Sequence, residues 1–130
     1  MKDLFNTIVS VSSTTFIYLC GGLDVALECL IISIILDYVT GVIKSYLNKS
    51  LSSQIGFKGI LKKIAILILV ASGVLVDKIT GNTGAIRTLV IYYFVANEGL
   101  SIIENLGASG LPIPENLKNA LESIKSNQDK

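Results

Sequence analysis

Ser33, Asp37, Thr40 and Lys44 recur at steps of four, three and four. At 100° per residue this lays one acid, one base and two hydroxyls along a narrow stripe of a helix. The rest of the segment is aliphatic, with Leu30, Ile31, Ile32, Ile34, Ile35, Leu36, Val39, Val42 and Ile43. A carboxylate near the middle of an apolar span costs roughly 2.5 to 3.5 kcal/mol, so Asp37 has to be turned away from lipid. Either a local pair with Lys44 or a hydrogen bond to Thr40 hides the charge, or the stripe faces a wet surface shared between subunits. A second stripe, Asn97, Ser101 and Glu104, lies beside the small residues Ala96 and Gly99, and Ser72 is the one polar side chain between Ile64 and Val76. These eight residues are the candidates for a pore lining or an inter-subunit face.

Other chemistry finds little support. The chain has no histidine, no Gly-x-Ser-x-Gly nucleophile turn and no spacing suited to a metal, so an enzyme is not expected, and neither a cofactor nor a metal. Cys20 and Cys29 sit nine residues apart in apolar surroundings and read as small apolar side chains. Asp24 and Glu28 resemble paired carboxylates, but acidic residues at the start of a helix complement its dipole. A net charge of +1 gives no field to attract nucleic acid.

The elements that must position these residues are helices in a membrane. Of the 130 residues, 51% are hydrophobic and 16% charged, with mean hydropathy +0.64; soluble domains carry about 25% charged residues. The organising stretch is Lys62 to Lys78, in which thirteen residues from Ile64 to Val76 carry no charge. Alone they would cover roughly 20 Å of a slab about 30 Å thick. Extended to Phe57 through Ile79, with lysines reaching towards the headgroups, the run spans. Helices are expected at about 4–20, 23–47, 58–79 and 85–106, making residues 1–110 a membrane helical domain. A short amphipathic helix from about Glu115 and a tail complete residues 111–130. Three of the helices are transmembrane. The first, with Phe5, Ile8, Val9, Phe16 and Leu19 opposite Asn6, Ser10, Ser13 and Thr14, either crosses or lies in the interface. The amino terminus lacks the basic leader and continuous apolar core of a cleaved signal peptide.

Orientation follows from charge. Lys44, Lys49, Lys58, Lys62 and Lys63 come in succession with no acidic residue, around a loop marked by Asn48, Ser50, Ser52, Ser53 and Gly56. A short lysine-rich loop stays in the cytoplasm, so Lys49, Lys58, Lys62 and Lys63 set the topology and the carboxyl terminus is cytoplasmic too. Such a loop also suits anionic lipid headgroups. Lys62, Ala65, Leu69, Ser72, Gly73 and Val76 share one side of the third helix, whose small residues admit a neighbouring helix.

Several stretches together resemble the toxin-secretion and phage-lysis holins. They are Leu36-Asp37-Tyr38-Val39-Thr40-Gly41, Gly56-Phe57-Lys58-Gly59 followed by Lys62-Lys63, Val76-Asp77, and Asn97-Glu98-Gly99-Leu100-Ser101-Ile102-Ile103-Glu104-Asn105-Leu106-Gly107 with Leu111-Pro112-Ile113-Pro114. Their order and spacing cover roughly Leu23 to Leu121; the first twenty residues carry no such motif. The resemblance implies a multi-pass protein of the bacterial cytoplasmic membrane that forms homo-oligomers and permeabilises the bilayer. An endolysin or a large toxin then crosses, coupled in function without an implied direct contact. A small membrane scaffold or an ion channel that forms no large lesion is the competing expectation. Met1 is the sole methionine, which excludes an internal methionine start.

Overall fold

The computed structural model describes residues 1–128. Five α-helices account for most of them: α1 (Lys2–Leu19), α2 (Val25–Leu47), α3 (Ser53–Thr80), α4 (Ala85–Ala108) and α5 (Glu115–Gln128), with no strand among the described residues. α2, α3 and α4 are long and apolar enough to cross a membrane.

Each start and stop has a local cause. Asp24 has extended backbone and its carboxylate accepts the N–H of Leu27 at 2.9 Å, which caps α2. The expectation of a lysine-rich loop before residue 58 is corrected: α3 begins at Ser53, and only residues 48–52 separate it from α2. Gly56, read as loop material, is helical, and with Gly59 its bare backbone seats the Tyr38 ring; a Cβ at Gly56 would stand 3.2 Å from the Tyr38 hydroxyl. Lys58, Lys62 and Lys63 therefore project from a helix. Gly81, at φ 73°, ends α3 in the left-handed region that glycine tolerates. α4 gains its cap from outside, since the Asp77 carboxylate of α3 accepts the N–H groups of Ile86 and Arg87, both at 2.9 Å.

α4 is the spine. It packs most extensively on α2, then α3, then α5, whereas α2 and α3 barely meet. The apolar core gathers Cys20, Leu27, Leu30, Ile34, Ile66, Val70 and Ile91 towards the end that holds the α1–α2 and α3–α4 turns. Gly73 permits the α3–α4 approach, for a Cβ there would lie 3.3 Å from Arg87 Cα. Of α1 only the last turn engages the bundle, through Phe16 and buried Cys20. α5 returns along α4, with Leu121 over Gly99 and the Lys125 ammonium 5.9 Å from the centre of the Tyr93 ring.

Large aliphatic side chains cover the outside. Ile32, Ile35, Leu36 and Val39 of α2 and Ile64, Ile68, Leu69 and Leu75 of α3 are all exposed. A contiguous surface of that kind is a liability in water and the normal boundary of a protein in lipid.

Candidate functional site

The interior polar groups form two clusters, one at the end of the bundle that holds the α1–α2 turn and one near mid-bundle. At the end where α1 meets α2, the chain's only arginine, Arg87, is buried with its whole fork engaged. Its Nη1 and Nη2 donate to the two carboxylate oxygens of Asp24 at 2.8 and 3.1 Å, and Nη2 and Nε donate to the carbonyls of Gly22 and Cys20. The guanidinium and the capped Leu27 N–H hold the Asp24 carboxyl down at about 2, from an ordinary 3.8. Burial pushes the Cys20 thiol up. Arg87, Asp24 and Asp77 thus tie three helix ends together.

The second cluster lies deeper. Lys63 of α3 donates to Asp37 of α2 and to Glu98 of α4. Asn105 joins them by donating to Asp37 Oδ1 at 3.0 Å and to the Thr40 hydroxyl at 3.1 Å, and Thr40 in turn donates to the Leu36 carbonyl at 2.8 Å. Asp37, Lys63 and Glu98 each lie about 15 Å from the nearer end of their helix, at a rise of ~1.5 Å per residue, so they share one level. One ammonium between two carboxylates leaves a formal negative charge in a region of low dielectric. The mutual attraction and the amide of Asn105 offset the desolvation.

From this cluster a cavity of about 670 Å³ opens between α2 and α3, floored by α4. Lys44, Lys58, Lys62, Asn97 and Ser101 line it. Of the residues expected to form the site, Ser33, Asp37 and Thr40 are buried on the α4-facing side of α2, with the Ser33 hydroxyl bonded to the Leu30 carbonyl. Lys44 stands at the cavity lip and is not the partner of Asp37; Lys63 is. Ser72 lies on the exposed face of α3, bonded to the Ile68 carbonyl, and Glu104 is exposed as well. Lys49 is exposed at the α2–α3 turn, with φ 55°.

Glu98, Asn105 and Arg87 were not singled out as site residues. For α4 a signal existed: Glu98, Ser101 and Asn105 repeat at three and four, a stripe offset by one residue from Asn97, Ser101 and Glu104. The buried apolar neighbours Ile91 and Ile103 favour the former. Arg87 follows a turn with no periodic pattern to mark it.

The stretches bearing the family resemblance supply most of these contacts: Asp37, Tyr38 and Thr40 from the first, Gly56, Gly59 and Lys63 from the second, then Asp77, then Glu98 and Asn105. A model of the bacteriophage holin family matches residues 14–126. The chain belongs to that family. Among holin-family relatives, a Bacillus phage phi105 protein described as "Probable holin" is 33% identical over 103 residues, covering 79% of this chain and 76% of the relative. An uncharacterised 14.9 kDa protein of the nagH 3' region in Clostridium perfringens is 45% identical over 114 residues, covering 87% and 86%. An uncharacterised protein of Listeria monocytogenes is 45% identical over 106 residues, covering 82% and 76%. No solved structure matches the chain. With three apolar helices of spanning length, this holin-family chain is a bacterial membrane protein.

Proposed function

We propose that the protein is a working holin: copies gather in the bacterial cytoplasmic membrane and form a lesion through which an endolysin or a secreted toxin passes. The observation that carries this reading is the Asp37–Lys63–Glu98 cluster at the level of the bilayer interior, beside a cavity rather than sealed in a core. Such groups gain hydration if the helices turn them towards a shared aqueous space, and that gain favours an open assembly. The phage relative described as a holin supports the same reading.

By the positive-inside rule the α2–α3 turn lies in the cytoplasm, and with it the turn between α4 and α5. If α1 crosses as well, the amino terminus is there too; if it lies in the interface, the chain has three crossings. In support of a crossing, Thr7, Ser13, Thr14 and Thr15 each donate to the carbonyl four residues earlier, so those hydroxyls need no outside partner. Eighteen residues reach about 27 Å, close to the hydrocarbon thickness.

The test is production in bacteria with a cytoplasmic endolysin, following membrane potential and lysis together. Depolarisation followed by endolysin-dependent lysis supports the holin. Depolarisation without lysis would make it an ion channel, and no depolarisation would make it a scaffold.

A further inference from the structure

The cavity between α2 and α3 contains more positive charge than the buried cluster uses. Four lysines line it against the two carboxylates of Asp37 and Glu98, and Lys63 already serves both. Among the described residues Lys44, Lys58 and Lys62 form no ion pair. Lys58 and Lys62, one turn apart, face Lys44 across the opening. Lys44 and Lys58 lie within about 8 Å of the lysine-rich ends of α2 and α3, where a bilayer carries its glycerol and phosphate groups, and the long side chain of Lys62 reaches up from about 14 Å. Leu51 and Ile55 line the cavity's outer rim at the α2–α3 turn, 59% and 60% exposed, and Val42, 38% exposed, lines the α2 wall at the level of Lys58.

We propose that this cavity binds an anionic phospholipid, with the phosphate among Lys44, Lys58 and Lys62 and an acyl chain leaving past Val42 into the bilayer. The lysines stand at the end of the bundle that meets the bilayer surface, which favours a lipid headgroup over a free anion. Glu98 and Asp37 at the floor, held by Lys63, keep the phosphate at the mouth. The site requires the basic end to meet a bilayer surface, as read above, but no lesion has to form.

The full chain is reconstituted in phosphatidylcholine vesicles containing a minority of spin-labelled phosphatidylglycerol, and the immobilised lipid fraction is read against labelled phosphatidylcholine. Phosphatidylglycerol is expected to be preferred, by about fivefold for each lysine that reaches the phosphate. Lys44→Gln/Lys58→Gln/Lys62→Gln abolishes the preference, whereas Lys49→Gln/Lys118→Gln/Lys125→Gln, with the same loss of charge, retains it. If the first triple variant does not fold, Lys58→Gln alone is expected to lose about fivefold. No preference in the unmodified chain, equal losses in both triple variants, or an unchanged Lys58→Gln would overturn the site. Displacement of the lipid by inorganic phosphate at constant ionic strength would overturn the lipid assignment. Because binding is read without permeabilisation, a chain that binds but never lyses cells rejects the holin reading alone.

Discussion

Lys63 and Asp37, 26 residues apart in the chain, form an ion pair that joins α3 to α2 where those helices otherwise scarcely touch. Glu98 shares the same ammonium from α4, so three spans meet at one cation. Lys63→Met leaves two buried carboxylates facing each other and is expected to cost about 3–5 kcal/mol, seen as a lower unfolding temperature in detergent. Neutralising all three together (Asp37→Asn, Lys63→Met, Glu98→Gln) recovers most of that stability. If the cluster drives opening, the neutral variant nevertheless releases no dye from vesicles; full release would reduce the cluster to a packing device.

Gly73 lets α4 approach α3 to within backbone contact at Arg87. Gly73→Val is expected to cost roughly 1–3 kcal/mol through overpacking. The gain in helix propensity of valine over glycine, about 0.3 kcal/mol, does not offset a clash with main-chain atoms that cannot rotate away. Circular dichroism should show helix content retained while the unfolding temperature falls.

Asp24 makes the opposite end sensitive to acid. Its folded carboxyl titrates at about 2, below the ordinary 3.8, so its contribution is fully present above about pH 4 and is lost as pH falls through about 2. The side chain is 51% exposed, which keeps the effect below about 1 kcal/mol. Asp24→Asn should flatten the pH dependence of the unfolding temperature within that window, and an unchanged slope would show that other carboxyls dominate it.

The number and type of helices were legible because thirteen uncharged residues in succession, or a Ser33–Asp37–Thr40 repeat, leave few alternatives. Which polar residue faces which was less so. Asn97, Ser101 and Glu104 satisfy helical spacing as well as Glu98, Ser101 and Asn105 do; only packing on α2 and α3 selects the second set. Lys63 read as a topological signal because its neighbours Lys58 and Lys62 are one, yet one further 100° step turns it inward to Asp37. Gly56 looked like a loop residue, since nothing local reveals that a tyrosine eighteen residues earlier will pack on it. The Arg87 knot depends on three separate turns converging, which no single window of sequence contains.

Labelling of single cysteines checks the orientation. In a Cys29→Ser background, with Cys20 buried and slow to react, Lys49→Cys should be modified by an impermeant maleimide only after the cytoplasmic side is opened. Asn82→Cys, exposed at the other turn, should react in intact cells. The reverse pattern would keep the three spans and invert them.

The bundle is clamped by Arg87 at one end and parted by the lysine-lined cavity towards the other. Because α2 and α3 barely meet, moving them apart on the cavity side breaks little packing between them.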